Sequence, residues 1–291
     1  MSLKPTSPSQ MVEATSDRSD SSPRLSVEGL VGGYGSVPVV KGMSLVAEPG
    51  TIVGLIGPNG SGKSTFVKGI IGIVKPLAGT VQLGERFLQG RRPDQNVAAG
   101  LGYLPQVADV FGNLTVSENL EIGGYLHRKV RPARKKHVLE LLPILGGRLH
   151  QKAATLSGGE RRLLGLGRVL MGFPTVILLD EPSAGLAPQA VKTILSYLTS
   201  LREEGISLVV VEQNVRAVLS IADRVYVMME GQCAMEGTAT EIAGDLVGLG
   251  RAFMGHARDF VGPDSARPTT PEFLLGEQSR ESEIEKRGSM I

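Results

Sequence analysis

A single cysteine, Cys233, stands in the 291 residues, so no internal disulfide can form. That scarcity fits a reducing compartment, and a lone cysteine is more often a small packing residue of a strand than a reactive thiol. Histidine is scarce too, and the four present are scattered without metal-ligand spacing. No apolar run approaches the roughly 18 residues that a spanning helix needs, and the N-terminus lacks the apolar core of a secretory signal. A role at a membrane would therefore require another chain to hold this one there. Charge excess is missing as well. Lys plus Arg (31) nearly balances Asp plus Glu (29), which gives no reason to expect a nucleic-acid partner. The chain is nevertheless long enough to bury a sizeable core, in one large domain or two small ones.

Glycine, by contrast, is abundant, at 38 residues. The stretch that organises the chain is Gly57-Pro58-Asn59-Gly60-Ser61-Gly62-Lys63-Ser64-Thr65. Two glycines five apart, then lysine and serine, are the pattern of a phosphate-binding loop. Glycine serves there because a Cβ would block close approach of the backbone to phosphate oxygens. The apolar run 51–56 before it suits a buried strand, and 64–71 reads as the following helix, whose first amides point at the same anion. A plain Gly-rich turn shares the pattern but not this strand-loop-helix context. The reading is a nucleoside-triphosphate site, with Lys63 on the β- and γ-phosphates and the Ser64 hydroxyl on Mg²⁺.

Along the chain, residues 1–24 are rich in Ser, Thr and Pro and read as a disordered head, with order beginning near Leu25. Strand-like runs at 25–31 and 37–46 are separated by Gly32-Gly33-Tyr34-Gly35, a loop or hairpin. Tyr34 there has two readings, a hairpin packing residue or a ring stacked on an adenine base. Pro76 to Gly79 reads as a turn, 80–83 and 99–104 as strands, the latter ending in Pro105-Gln106. Residues 107–172 carry helical patterns at 117–126, 133–142 and 160–171, as a helical insertion within one α/β domain. The basic run 127–137 is either a solvated helix face or a patch for lipid headgroups or a partner. Strands follow at 207–211, 225–229 and 232–235, then a helical segment to 254. Residues 256–291 read as a disordered tail, passive or regulatory.

Two further segments carry chemistry. In Leu156-Ser157-Gly158-Gly159-Glu160, Ser157 and Glu160 have capping-box spacing, so a helix should start at Gly158 with amides open to an anion. The apolar strand 175–179 ends in Asp180-Glu181, paired carboxylates at the ligand-binding end of a parallel strand. Asp180 could hold Mg²⁺ through water, and Glu181 could polarise an attacking water.

The loop at Gly57, Gln106 after a strand, Leu-Ser-Gly-Gly-Glu at 156–160 and Val-Ile-Leu-Leu-Asp-Glu-Pro at 176–182 occur in one order. That set resembles the ATP-binding cassette ATPases over about 25–255. The resemblance implies an α/β fold, a P-loop NTPase (RecA-like) core with an antiparallel β subdomain and an α-helical signature subdomain at about 107–172. It implies ATP and Mg²⁺ as ligands, with Tyr34 and residues 57–65 on the nucleotide, and Ser64, Gln106 and Asp180 around the metal. Glu181, Gln106 and Gln213 would serve hydrolysis. In the family two cassettes meet head to tail, so Ser157, Gly158 and Gly159 would act on ATP held by the partner. Gln106 would relay the change to a docked membrane subunit.

Phe111 to Leu120, Ala184-Gly-Leu-Ala-Pro188 and Val211-Glu-Gln-Asn214 are similar to importer ATPases for branched-chain amino acids, and to one of their two sister subunits. The usual switch histidine aligns with Gln213, and a usual aspartate with Ala187; both bear on how fast the site of Lys63 and Glu181 turns over. The resemblance thus implies a peripheral subunit at the cytoplasmic face of the inner membrane. Its partners would be a histidine-bearing sister cassette, permease subunits and, indirectly, an extracytoplasmic binding protein. Cassettes of chromosome maintenance carry a long coiled coil between loop and signature, for which there is no room, and translation-factor types fuse two cassettes. Exporters and lipid transporters share the same motor chemistry and remain open, as do urea and amides as cargo. The stretch Glu160-Arg161-Arg162 departs from the commoner glutamine-rich continuation.

Overall fold

The computed structural model describes residues 22–35, 37–107 and 110–254. The expected head lies outside the described residues except for its last three, and the tail from 256 lies wholly outside them. Two of those three make contacts: Ser22 donates to Gly205 O (3.2 Å), and Arg24 pairs with Glu48 (3.1 Å).

The strands are β1 (Leu25–Tyr34), β2 (Val37–Ala47), β3 (Ile52–Ile56), β4 (Pro76–Leu83), β5 (Arg86–Phe87), β6 (Leu101–Leu104), β7 (Val176–Asp180), β8 (Ser207–Glu212), β9 (Arg224–Met229) and β10 (Gln232–Thr238). The helices are α1 (Lys63–Ile71), α2 (Pro93–Ala98), α3 (Val116–Gly123), α4 (Arg131–Leu141), α5 (Gly158–Leu170), α6 (Pro188–Glu203), α7 (Val215–Leu219), α8 (Ala239–Gly244) and α9 (Leu246–Met254). The chain divides into two units between Asp245 and Leu246, and α9 belongs to the second. Among the described residues no helix is long and apolar enough to cross a membrane.

Two sheets organise the first unit. One is antiparallel, in the order β2-β1-β4-β5; the other runs β10-β9-β3-β8-β7-β6 and is parallel except for the β9–β10 pair. The parallel strands β3, β7 and β8 are buried along their whole length, which explains why they are apolar except at their ends, where Asp180, Ser207 and Glu212 stand. Strand periodicity divides their side chains between two cores. Val53, Leu55, Val176, Leu178, Val209 and Val211 meet Phe66, Ile70 and the antiparallel strands. Ile52, Ile177, Leu179, Leu208 and Val210 on the other face meet Leu163, Leu166, Ile194 and Leu198. The α/β core, antiparallel layer and helical layer expected from the resemblance are all present.

The described residues between 110 and 172 carry helices α3, α4 and α5, with α3 and α5 each started by a capping box, Thr115 with Glu118 and Ser157 with Glu160. The basic run is only partly a solvated face. Arg134 is buried, donating to Leu170 O (2.8 Å) and lying over the Phe173 ring, and Lys135 pairs with Glu121 (3.0 Å).

Several local expectations need correction. Gly32 to Tyr34 belong to β1, paired with Val40, Pro38 and Val37, so the loop is shorter than its glycines suggest. Pro76 to Gly79 open β4 rather than making a turn. β1 pairs with Ala78 and Pro76, and Gly79 takes a positive φ of 89° where the register shifts. Cys233 lies in β10 but is exposed, so it is not a packing residue. The segment 238–254 is two helices separated at Asp245, and α2, α6, α7 and β5 had no counterpart in the sequence reading.

Candidate functional site

Parallel order places the carboxyl ends of β3, β8, β7 and β6 side by side at one edge of the sheet. Four loops far apart in sequence therefore converge. β3 runs into Gly57, β6 into Pro105-Gln106, β7 into Glu181 and β8 into Gln213.

The loop after β3 is shaped by close approach. A Cβ on Gly57 would stand 2.2 Å from Met228 O, and one on Gly62, at φ 103°, would stand 3.2 Å from Val39 O. Gly62 is also the N-cap of α1 and offers no side-chain hydrogen bond to the helix start. The amides of that first turn are left for an incoming anion. Lys63 is 4% exposed, and its ammonium donates to Gly57 O (2.7 Å) and Pro58 O (2.8 Å). Burial lowers its pKa, against the raising effect of Glu181, Asp180 and Glu212.

The carboxylates meet the loop directly. Ser64 Oγ donates to Asp180 Oδ1 (2.9 Å), and the Tyr103 hydroxyl reaches Asp180 Oδ2 at 3.5 Å. Desolvation raises the pKa of Asp180 and, beside that carboxylate, the pKa of Tyr103. Glu181 is held by two amides: Gln106 Nε2 donates to Oε2 (2.6 Å), and Gln213 Nε2 to Oε1 (2.5 Å). Its backbone has a positive φ of 48°, in a region that non-glycine residues seldom enter. Glu212, 3% exposed, accepts from Ser183 N (2.8 Å) and so fixes the turn after Glu181.

A cleft of about 390 Å³ opens among these groups, lined by the phosphate loop, Gln106, Glu181, Gln213 and Val39 of β2. Its chemistry suits a polyphosphate. A lysine cation, free helix amides and a glycine cradle face one end, and a carboxylate held by two amides faces the other. Ser64 and Asp180 are oxygen donors fit for Mg²⁺, which favours one or two protein oxygens completed by phosphates and water. A second groove of about 210 Å³, lined by Tyr103, Pro105, Gly165 and Arg168 among others, holds none of these groups.

The structure thus brings together Lys63, Ser64, Gln106, Asp180, Glu181 and Gln213. Two of the nucleotide-binding parts read from the sequence lie outside the cleft, and of these only Tyr34 is expected in it. Tyr34, at the end of β1, is 59% exposed and does not line it. Ser157 and Gly158 are exposed at the start of α5, where Ser157 N donates to Glu160 Oε2 (2.8 Å) and Glu160 pairs with Arg148 (2.6 Å). Ala187 is the N-cap of α6 and has no side chain to cap it. Sequence reasoning missed Val39, Tyr103 and Glu212. It noted Arg162 without a role, though that side chain bonds the backbone of both the Gln106 and Glu181 loops.

The family model described as ABC transporter matches residues 40–184. A high-affinity branched-chain amino acid transport ATP-binding protein of Pseudomonas aeruginosa is 38% identical over 210 residues, covering 72% of this chain and 90% of that protein. The lipopolysaccharide export system ATP-binding protein of Escherichia coli is 36% identical over 225 residues, covering 76% of this chain and 93% of that protein. The crystal structure of the ADP conformation of an ABC-transporter cassette superposes with a TM-score of 0.71 at 29% identity, covering 79% of this chain and 98% of that one.

Proposed function

We propose that this chain, which belongs to the ABC transporter family of ATP-hydrolysing cassettes, is the motor subunit of an importer for branched-chain or related amino acids. The observation that carries the motor assignment is the contact set in one cleft. Lys63 and the glycine loop lie beside a Ser64–Asp180 pair and a Glu181 carboxylate held by Gln106 and Gln213. In this reading Lys63 exchanges two main-chain carbonyls for the β- and γ-phosphate oxygens. Ser64 and Asp180, with Gln106 nearby, would hold Mg²⁺, which would supply positive charge to neutralise the phosphates. Glu181 orients and polarises the attacking water.

The exposed start of α5 supports a two-cassette arrangement. Ser157, Gly158 and Gly159 stand outside the chain's own cleft, free to meet nucleotide held by a partner. Gln213 stands where a histidine-bearing sister would carry its switch residue, which favours a heterodimer. The groove beside Pro105 and α5 is where a permease subunit would sense Gln106, with the complex at the cytoplasmic face of the membrane. The cassette of about 25–255 is one functional domain in this reading.

The cargo rests on likeness to the branched-chain amino acid transport protein of Pseudomonas aeruginosa. Comparable likeness to the lipopolysaccharide export protein of Escherichia coli favours a second reading, an exporter motor for a lipid. Mass spectrometry of membrane subunits co-purifying with the tagged chain separates the two. Permeases that support ATP-dependent leucine uptake in proteoliposomes are expected. Partners that extract lipid and pass no amino acid would overturn the importer reading.

A further inference from the structure

Arg162 lies one turn into α5 and is 7% exposed. Its guanidinium donates to Pro105 O (2.5 Å) and Gln106 O (3.3 Å) on one side, and to Asp180 O (2.8 Å), Glu181 O (2.9 Å) and Pro182 O (3.2 Å) on the other. All five acceptors are main-chain carbonyls of the two loops that carry Gln106 and Glu181. The β6–β7 ladder ends at the Leu104–Leu179 pair, so beyond it the sheet no longer holds these loops together. The guanidinium begins where the ladder stops.

That bridge bears on a strained residue. The positive φ of Glu181 persists only where its surroundings over-determine it. Glu181 N donates to Val211 O (2.9 Å), and Glu181 O accepts from both Ala184 N (3.2 Å) and Arg162. Only an arginine can span both loops, because its donors lie in a planar fork, whereas lysine concentrates three on one atom.

We propose that Arg162 is a positioning residue for hydrolysis, fixing the Gln106 and Glu181 loops relative to each other and tying both to α5. The inference rests on the roles proposed above for Gln106 and Glu181. Because α5 begins with Ser157-Gly158-Gly159, one helix then joins the surface offered to a partner's nucleotide to the water-activating pair of the chain's own cleft. Lys63 and the glycine loop take no part in the bridge, so nucleotide binding is separable from it.

Arg162→Lys and Arg162→Met in the purified full chain test this, with Glu181→Gln as the reference variant. Steady-state kcat and KM, affinity for a fluorescent ATP analogue and the melting temperature are measured for each. Arg162→Lys is expected to keep KM and affinity within about two-fold and to lose about ten-fold or more in kcat. Arg162→Met is expected to lose more at the same affinity. A parent kcat in Arg162→Lys, or affinity and kcat falling together with the melting temperature, would overturn the proposal. If Arg162→Met fails to fold, Arg162→Lys alone decides. A parent kcat in Glu181→Gln would instead remove the reading of the site, and this inference with it.

Discussion

Gln213 Nε2 donates to Glu181 Oε1 at 2.5 Å, placing an uncharged amide against the carboxylate. A glutamine can donate there but cannot carry charge or move a proton, as an imidazole could. Two such sites in a homodimer would both be weakened, although identical pairs are the commoner arrangement of oligomers. Gln213→His is therefore expected to raise the ATPase rate of the isolated chain. Addition of a histidine-bearing sister cassette should raise the rate of the parent. Steady-state hydrolysis checks both, and full cooperative turnover unchanged by either would rule out an asymmetric pair.

Glu181→Gln keeps the shape of the side chain and one acceptor for Gln106 or Gln213, but removes the carboxylate. Hydrolysis should fall by about 10²–10⁴-fold with ATP affinity retained, so that ATP-bound dimers accumulate. Size-exclusion chromatography with Mg-ATP, alone and with a partner cassette, reads the dimer. Hydrolysis at the parent rate would take Glu181 out of the catalytic role.

Lys63→Ala removes the ammonium that bridges Gly57 O and Pro58 O and, in the proposed function, the counter-charge for phosphate. Loss of tight ATP binding is expected, with the thermal transition kept because the cores involve α1 through Phe66, Val67 and Ile70 instead. Equilibrium nucleotide binding and circular dichroism on one sample distinguish the two effects. Unaltered hydrolysis would sink the assignment of the cleft.

The start of α5 should respond to acid. The Ser157 amide, more than any other group, holds the Glu160 carboxyl below its ordinary value near 4.5. A depressed carboxylate contributes stability that is present above the unfolded value and is lost as pH falls through the folded one. Hydrogen exchange at the first α5 amides should therefore accelerate as pH falls below about 4.5, relative to the helix middle. Glu160→Gln retains the capping geometry without the charge. It should flatten that dependence, and an unchanged profile in the variant would assign the effect elsewhere.

Local chemistry wrote the phosphate loop, the capped start of α5 and the acid pair into the sequence. Each needs particular residues at adjacent positions: glycine where a Cβ would strike Met228 O, serine and glutamate three apart, carboxylates directly after an apolar strand. Helices α6 and α7 were not read from the sequence, although it carries signals for both: Pro188 at the first turn of α6 with Ile194, Leu198 and Leu201 on one face, and the Asn214 cap of α7. Which strands lie side by side was not legible, because register depends on packing between segments far apart in the chain. Only the order β3-β8-β7-β6 brings Gln106, Glu181 and Gln213 within hydrogen-bond reach of one another. The same holds for Val39, which enters the cleft from the antiparallel sheet, and for Tyr103, whose hydroxyl finds Asp180 across the β6–β7 pair. Pairing with β1 likewise overrode the turn signals of Pro76 and Gly79. Arg162 is the furthest case: a polar letter on an amphipathic helix, given a partner set only by the loops that the fold places around it.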